Sequence, residues 1–377
     1  MRIGVREIND KQQPYLIAEL GVNHDGSLDR ALELTRLAAE AGADAVKLQY
    51  FEADRLMSGS ARLTNYQKAA GEIGAFDMLR RLEMPIEAMA KVAQLAHELG
   101  LHAIVTIFSP ELVEIADRLP WDAYKTASPD IINKPLIDAL GRTGRPVIIS
   151  TGASTMQEVS RALTWMDGWQ DRVALLQCVS SYPTPAEFSE LGGIHALAKI
   201  FSGQVGYSDH TTGVYMGAAA VGCGATILEK HLTYDRAAKG PDHAASLEHK
   251  QLRLYKTLAR QAHAYWRPGM LGISFSASDQ AGREELQSIA DQLEVSDRTK
   301  RVLPIEADVR RHSRQSLYPA RALVAGHILT HEDLTTKRPG VFISPEHIDV
   351  IVGRTLANDV DPSTALLPED LVPRQKK

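Results

Sequence analysis

Ionisable and hydroxyl side chains follow a series of short apolar segments, where a buried strand would ordinarily end in a turn. The segment ILEKHLTYDRAAKGPDH (227–243) is the densest example, because its apolar run passes directly into acids, bases and histidines. The candidate site residues of these segments are Glu19, Asn23, His24, Lys47, Gln49, Thr106, Ser109, Lys125, Ser128, Ser150, Thr151, Ser180, Tyr182, Ser208, Asp209, His210, Glu229 and His231. One polar strand end is commonplace, whereas a converging set of them predicts an active site.

Two histidines, His210 and His231, end consecutive apolar runs, and each has an acidic residue nearby. Neutral imidazoles on adjacent strands can share a divalent metal, with water and substrate oxygens at the remaining coordination positions. We therefore predict that these histidines are a pair of metal ligands. His24 fits a site role and a turn hydrogen bond equally well. His243 is a weaker candidate that could simply be exposed.

Two lysines, Lys47 and Lys125, fall inside strand-like segments, where an unpaired ammonium would be costly to bury. An anionic ligand would neutralise them, and the hydroxyl groups of ISTG, KTAS and VSSY would complete a phosphate or carboxylate cage. Salt bridges with Glu19 or Glu229 are a compatible alternative. A Schiff-base lysine is another, but two lysines beside a histidine pair fit phosphate and metal better.

Strand and helix patterns alternate through the first two thirds of the chain. Candidate strands cover 15–21, 44–50, 101–108, 123–127, 146–152, 173–182, 205–210 and 225–232. Segments between them, such as LDRALELTRLAAEAG, have apolar residues at helical spacing and end at glycine. This alternation predicts an α/β fold, a (β/α)8 TIM barrel, with its site at the C-terminal ends of the strands. A doubly wound sheet is the alternative, but no glycine-rich phosphate loop follows the first strand.

The pattern divides the chain into three parts. Residues 1–267 form the predicted catalytic barrel, 268–312 are polar and weakly periodic and predict a partly helical linker, and 313–377 form a small second domain. A unit of this size has a thin core, so it is expected to pack against another surface. The long connection between the second and third strands indicates a substrate-binding or subunit-contact loop.

Composition narrows the functional class. The chain has 377 residues and a net charge of -5, with no long basic run, so non-specific binding to nucleic acid or a membrane surface is not expected. Cys178 and Cys223 lie in apolar segments, which indicates buried free thiols. Without an apolar signal core or a run long enough to cross a bilayer, the protein is expected to be cytoplasmic.

The motifs resemble those of the sialic acid synthase family, the phosphoenolpyruvate-dependent nonulosonic acid synthases with a C-terminal antifreeze-like domain. They include IAELGVNHDGSL (17–28), AGADAVKLQ (41–49), AYKTASPDIINKPLI (123–137), ISTGAST (149–155), GYSDHTTG (206–213), ILEKHLT (227–233) and GPDHAASL (240–247). The tail SLYPARALVAGHILTHEDLTTKRPG (316–340) is similar to the antifreeze-like (SAF, β-clip) domain of that family.

The resemblance implies a transferase that condenses phosphoenolpyruvate with an N-acylated hexosamine such as N-acetylmannosamine, giving a nonulosonic acid and phosphate. His210 and His231 would bind Mn²⁺ or Mg²⁺, and Glu19 would lie beside the sugar aldehyde, with Glu229 also at the catalytic mouth. The substrate-binding residues would be Lys47, Gln49, Thr106, Lys125, Ser128, Ser150, Ser180, Tyr182, Ser208, Asp242 and Arg338. Arg338 would reach the sugar from the partner subunit of a domain-swapped homodimer.

One departure from the family pattern bears on the acceptor. Val341 and Phe342 follow Arg-Pro-Gly where the family usually has a small residue and glycine, and they would fill a loop expected to lie over the sugar. A different aldose acceptor is therefore a second hypothesis, and a non-catalytic sugar-binding relative is a third. Within the first, the acceptor is N-acetylmannosamine, its 6-phosphate or a diamino-dideoxy hexose. The phosphorylated sugar is least favoured, because the sequence offers no further cationic contact.

Overall fold

The computed structural model describes residues 1–265, 280, 284, 287, 289 and 299–373. A short antiparallel hairpin of β1 (Arg2–Ile3) and β2 (Arg6–Glu7) precedes a closed barrel of eight parallel strands. These are β3 (Tyr15–Gly21), β4 (Ala45–Tyr50), β5 (His102–Ile107), β6 (Ala123–Thr126), β7 (Val147–Ser150), β8 (Val173–Cys178), β9 (Gln204–Asp209) and β10 (Ile227–His231). β10 pairs in parallel with β3 and closes the barrel, which places His231 opposite Glu19. The predicted TIM barrel is confirmed.

Helices cover the barrel and extend the connections between its strands. In the described barrel part of the chain they are Leu28–Ala41, Ala53–Leu56, Asn65–Ala69, Ala75–Leu82, Ile86–Glu98, Glu111–Ala116, Lys134–Arg142, Met156–Trp165, Gly192–Ile200, Met216–Gly222 and His249–Tyr265. The helix Leu28–Ala41 is capped at its N-terminus by Ser27, whose side chain accepts a hydrogen bond from the Arg30 amide. Gly42 caps its C-terminus in a left-handed conformation. Three short helices between β4 and β5 belong to the long connection.

The interior of the barrel is divided into an apolar lower layer and a polar upper layer. Ile17, Ala45, Ala123 and Ile227 belong to one buried apolar cluster at the N-terminal side. Because inward-facing residues recur every second position along a strand, the next inward residues on the same strands lie one layer higher. These are Glu19, Lys47, Lys125 and Glu229. The alternation of the strands therefore delivers these charged side chains to the C-terminal mouth of the barrel.

A small second unit packs over that mouth. It contains the helix Ile348–Ile351 and the antiparallel pair β11 (Ser316–Pro319) and β12 (Leu334–Lys337), and the helix Ala307–Ser313 leads into it. Its apolar core consists of Leu317, Leu323, Leu329, Leu334, Ile348, Ile351, Leu356, Val360, Leu366 and Leu371. Gln315 Nε2 donates to Phe108 O at 2.8 Å, and the Arg338 amide donates to Leu56 O at 2.8 Å, so the unit is hydrogen-bonded to the barrel.

Most of the predicted linker, 268–312, lies outside the described residues. Its last part is structured: the 3-10 turn Pro304–Glu306 leads into the helix Ala307–Ser313, and Glu306 is fully buried. Cys178 and Cys223 are buried free thiols, as predicted. Over the described ranges, no helix has the length and apolar character needed to span a bilayer.

Candidate active site

A cavity opens at the C-terminal ends of the barrel strands, below the small unit. Of the predicted site residues, those that line it are Lys47, Gln49, Thr106, Lys125, Ser128, Ser150, Tyr182, Ser208, His210, Glu229, His231, Asp242 and Arg338. Glu19 and Ser180 are buried beside this lining, Glu19 against Lys47 and Ser180 against the loop after β7. The structure thus brings the candidates from all eight strand ends to one place.

Four buried charges of alternating sign form the floor of the cavity. Lys47 is ion-paired with Glu19 and lies 3.6 Å from Glu229 Oε2, while Lys125 Nζ lies 3.8 Å from Glu229 Oε1. Burial opposes ionisation of Glu229, but Lys125 and Lys47 together lower the pKa of its carboxyl to about 2. Burial raises the pKa of Glu19 above its ordinary value. Glu19 is therefore the carboxylate of this group that gains a proton more readily.

Hydroxyl groups surround the two lysines. Lys47 Nζ donates to Thr106 Oγ1 at 2.9 Å, and Lys125 Nζ donates to Ser150 Oγ at 2.5 Å. Ser208 Oγ donates to Glu229 Oε1 at 2.8 Å. Ammonium and hydroxyl groups in this density can bind an anion with several oxygens, such as a phosphate or carboxylate. The salt bridges that the sequence left open as an alternative are present, and they coexist with this cage.

The two histidines face each other, with ring centroids 5.5 Å apart. His210 Nδ1 is 2.8 Å from Val179 O and 3.7 Å from Cys178 Sγ, an arrangement in which Nδ1 carries the proton and Nε2 is left to bind a ligand. Burial opposes protonation of His210, but Cys178 and the Val179 carbonyl raise its pKa. Burial and the neighbouring His210 lower the pKa of His231 far below its ordinary value, so that its ring is neutral.

The ring nitrogens of His210 and His231 fit a divalent cation bound by two protein ligands. His231 Nδ1 is buried, has no hydrogen-bond partner and lies 3.6 Å from Asp242 Oδ2. An orphaned nitrogen on a neutral imidazole is suited to metal coordination. Within the described ranges, no group of three or more His, Cys, Asp or Glu side chains is arranged to hold a metal. The pair could therefore hold an ion only with water or substrate oxygens as its other ligands.

The loop 239–246 folds back over the mouth and brings Asp242 to the cavity. Burial raises the pKa of Asp242 to about 7. His243 anchors this loop: its Nδ1 lies 2.7 Å from Thr233 Oγ1 and its Nε2 lies 3.1 Å from Asp25 Oδ1. His243, the weaker site candidate, neither lines the cavity nor is exposed, because its ring is buried between these two partners.

Several polar strand-end residues do not face the cavity. Asp209 pairs with Lys230 at 3.0 Å, and both are fully buried outside the lumen, because Ser208 and His210 occupy the inward positions of the same strand. His24 Nδ1 accepts from the Gly26 amide at 3.0 Å, a hydrogen bond within a turn. Similar structural hydrogen bonds are made by Asn23 to Leu232 O and by Thr151 to Leu176 O, and Ser109 is buried away from the lining.

The small unit contributes Arg338 to the cavity. Its guanidinium lies 5.6 Å from the centre of the Phe108 ring, and its Nε is buried without a hydrogen-bond partner. Burial lowers the pKa of Arg338. In the structure this arginine belongs to the same chain as the barrel it faces. Its delivery from a partner subunit stays a prediction.

Val341 and Phe342 lie outside the cavity lining, contrary to the expectation that they fill a loop over the sugar. Val341 is 46% exposed and Phe342 is 37% exposed. The Phe342 amide donates to Ser316 Oγ at 3.1 Å, and its ring contacts Tyr318 edge-on at 6.4 Å between centroids. These contacts hold Phe342 against the small unit, away from the cavity.

The sequence did not reveal the side of the cavity built by the connection between β4 and β5. Its apolar lining residues are Phe51, Leu56, Met78, Leu79 and Leu82, which share one buried cluster with Val22 after β3 and Phe108 after β5. Tyr66 also lines the cavity, with its ring 4.9 Å from that of Tyr182. The helical spacing of Met78, Leu79 and Leu82 was the available signal. It indicates a buried helix face but not what that face borders.

The fold and the cavity define a (β/α)8-barrel protein with a capped, polar site at its strand ends. The chain belongs to the NeuB family, whose model matches residues 34–267, and residues 314–372 match the SAF domain. These matches confirm both the family resemblance of the motifs and the antifreeze-like character of the small unit, called the SAF domain below.

Named relatives match most or all of the chain. An N,N'-diacetyllegionaminic acid synthase of Legionella pneumophila is 34% identical over 375 residues, 98% of this chain and 97% of the relative. The crystal structure of spore coat polysaccharide biosynthesis protein SpsE from Bacillus subtilis is similar, with a TM-score of 0.80, 27% identity and coverage of 100% and 99% of the two chains. An N-acetylneuraminic acid synthetase from Leptospira borgpetersenii, in complex with citrate, has a TM-score of 0.64 and 27% identity, covering 78% of this chain and 97% of that one.

Proposed function

We propose that the protein condenses phosphoenolpyruvate with an N-acylated hexosamine to form a nonulosonic acid and phosphate. The observation that carries this proposal is the cage of Lys47, Lys125 and hydroxyl groups beside the paired imidazoles of His210 and His231. The names of the relatives support it, since they are synthases of legionaminic and neuraminic acids.

Phosphoenolpyruvate suits the charges of the cage. Two ammonium groups balance two carboxylates in the floor of the cavity, and protonation of Glu19 would leave an excess positive charge for an incoming anion. Lys47 with Thr106 and Lys125 with Ser150 form two cationic pairs, one for each acidic end of the substrate. Both lysines are buried, so their attraction for phosphate and carboxylate is weakly screened by water.

In the proposed reaction, C3 of phosphoenolpyruvate attacks the aldehyde carbon of the sugar and a new C–C bond forms. Water adds at C2, and the C–O bond to phosphate then breaks, which leaves an α-keto acid. Glu19, whose raised pKa suits proton transfer, is the proposed acid–base group, and Glu229 stays ionised between the lysines. A divalent cation such as Mn²⁺ or Mg²⁺, held by His210 and His231, would polarise the aldehyde oxygen as a Lewis acid.

The acceptor is proposed to lie between Arg338 and the apolar side of the cavity. This side is suited to methyl and ring C–H groups, whereas Arg338 can bind hydroxyl or carbonyl oxygens of the sugar. Beyond Lys47, Lys125 and Arg338, no arginine or lysine lines the cavity in the described part of the chain. A neutral, N-acylated sugar is therefore favoured over a phosphorylated one. The hypothesis of a different aldose acceptor rested on Val341 and Phe342. Because both residues lie outside the cavity, this hypothesis is not favoured.

Release of inorganic phosphate tests this function. With phosphoenolpyruvate, Mn²⁺ and a panel of acceptors, we expect release with N-acetylmannosamine or a diacetamido-dideoxy hexose and no release with N-acetylmannosamine 6-phosphate. Mass spectrometry of the product should show the sum of the two substrates plus water, less phosphoric acid. Release only with aldoses that lack an N-acyl group would contradict the proposed acceptor. Absence of phosphate release with every acceptor would favour a non-catalytic sugar-binding protein.

Arg338→Ala tests the acceptor side of the cavity. Because Arg338 lines the cavity with a charged guanidinium whose Nε is buried without a hydrogen-bond partner, its loss should raise the KM of the acceptor roughly tenfold to a hundredfold and leave the KM of phosphoenolpyruvate nearly unchanged. Steady-state kinetics with each substrate varied in turn measures both values. Arg62→Ala is the matched control, since Arg62 is an exposed arginine outside the cavity lining. Equal effects on the two KM values would count against the assigned role.

We further propose that the protein acts as a cytoplasmic homodimer in which each SAF domain caps the neighbouring barrel. The thin core of the SAF domain supports a capping role. In the dimer, the exchanged domains would make with the neighbouring barrel the hydrogen bonds to the mouth that the structure shows within one chain. A capped mouth would exclude water from the cage and strengthen its electrostatic contacts.

A further inference from the structure

A carboxylate from the segment that precedes the SAF domain is inserted into the barrel mouth. Glu306 has 0% exposure, and its Oε1 accepts hydrogen bonds from the backbone amides of Ala153 at 2.6 Å and Ser180 at 2.8 Å. Its Oε2 accepts from the Leu303 amide at 2.8 Å. A carboxylate removed from water is stable only with such partners. Glu306 therefore bridges the loops that follow β7 and β8.

The loop after β7 has a backbone conformation that side chains rarely adopt. Ala153 has a φ of 50°, in the left-handed region. Its amide is bound by Glu306, and its carbonyl oxygen accepts from Arg310 Nη1 at 2.6 Å and Arg314 Nη2 at 3.1 Å. Strained residues persist where their surroundings over-determine them. Here the segment before the SAF domain, together with the first residue of that domain, binds both polar groups of the strained residue.

The loops after β7 and β8 also contact two further hydroxyl groups near the cage, those of Ser128, which follows β6, and Ser180. The Gly152 amide donates to Ser128 Oγ at 3.1 Å. A Cβ at Gly152 would lie 2.4 Å from Ser180 Oγ and 2.7 Å from Ser128 Oγ, so only glycine allows these hydroxyls to approach the backbone so closely. A shift of residues 152–153 would therefore displace both serines.

We propose that Glu306 is a positioning residue for the phosphate cage. By binding the amides of Ala153 and Ser180, it fixes the backbone around Ser128 Oγ, which lines the cavity and meets the phosphate of phosphoenolpyruvate, and around Ser180 Oγ, which is buried beside the lining without a hydrogen-bond partner. The phosphoenolpyruvate site is then complete only when the segment before the SAF domain is docked. Glu306 does not line the cavity, so it acts through these loops and touches no reacting atom. This inference rests on the proposed function, because it assigns a role toward that substrate.

The test is the affinity of the full-length protein for phosphoenolpyruvate, measured by calorimetry without acceptor and by steady-state kinetics. Glu306→Ala should raise the Kd and the KM of phosphoenolpyruvate roughly tenfold to a hundredfold, since loss of preorganised geometry has effects of this order, and leave the acceptor KM nearly unchanged. Glu306→Gln keeps an oxygen for the two amides but turns an NH₂ group toward the Leu303 amide, so an intermediate effect is expected. The glutamine variant keeps the proposal testable if the alanine variant unfolds.

Glu346→Ala separates positioning from docking. Glu346 is ion-paired with Arg161 and joins the SAF domain to the barrel without contacting the loop after β7. If Glu306 served only to dock the SAF domain, both variants would disturb Arg338 and raise the acceptor KM. That result, or wild-type affinity for phosphoenolpyruvate in Glu306→Ala, would overturn the inference. A wild-type protein that neither binds phosphoenolpyruvate nor releases phosphate would overturn the proposed function and the inference with it.

Discussion

His231→Ala is expected to lower turnover at least about a thousandfold, while the barrel stays folded. His231 ends β10 opposite Glu19, and its buried Nδ1 has no hydrogen-bond partner. Removal of the imidazole leaves His210 as the sole remaining histidine of the pair, and a divalent cation bound by one protein nitrogen should dissociate. Calorimetric titration with Mn²⁺ measures the loss of binding, and phosphate release measures turnover. Because His231 Nδ1 has no hydrogen-bond partner in the described part of the chain, loss of the imidazole should change the unfolding temperature little.

An exposed histidine provides the control for this variant. The His347 side chain is 54% exposed and lies on the SAF domain, so His347→Ala should keep metal affinity and turnover. Chelation of the wild-type protein should reproduce the loss caused by His231→Ala, and added Mn²⁺ should reverse it in the wild type alone. If His231→Ala retained full activity after chelation, the metal assignment would be wrong.

The barrel and most of the cavity floor could be predicted from the sequence because both depend on short-range periodicity. Apolar runs alternating with amphipathic helices predict parallel strands, and all parallel strands of a barrel end at one face. The predicted strand 173–182 ends at Cys178 in the structure, since its last residues form the loop that carries Ser180. This rule alone was enough to predict that Lys47, Lys125 and Glu229 lie close together.

The remaining parts of the site depend on contacts between distant segments. Glu306 lies in a polar stretch that predicted a linker, and its burial becomes apparent only when the amides of Ala153 and Ser180 are placed beside it. Likewise, Tyr66 belongs to the helix Asn65–Ala69, which is too short to show a periodic pattern, so its ring contact with Tyr182 had no local signal. Propensity and pattern describe each segment alone, whereas these positions are determined by tertiary packing.

A shift of one position along a strand also decides whether a charged side chain faces the cavity or packs outside the barrel lumen. Lys125 on β6 and Lys230 on β10 are both buried, and both belong to strands that end at the mouth. Lys125 faces inward and binds Ser150, whereas Lys230 faces outward and pairs with Asp209 at 3.0 Å. Composition does not distinguish the two lysines, but the period of two along a strand does.

The same substitution at these two lysines should therefore have opposite consequences. Lys125→Met should lower kcat/KM for phosphoenolpyruvate by about 10² to 10³, because it removes a buried cation from the cage. Its effect on stability should be small, since Glu229 keeps Lys47 at 3.6 Å and Ser208 at 2.8 Å. Phosphate-release kinetics and urea unfolding measure the two quantities in each variant.

Lys230→Met should instead lower the free energy of unfolding by roughly 3–5 kcal/mol, because Asp209 would remain buried without its cation. The folded fraction of this variant should bind phosphoenolpyruvate with the wild-type KM, since Lys230 does not line the cavity. Should Lys125→Met instead destabilise the fold as strongly and leave the KM unchanged, the inward ammonium would be part of the scaffold. The proposal that the cage binds phosphoenolpyruvate would then be wrong, because Lys125 would serve only to balance the charge of Glu229.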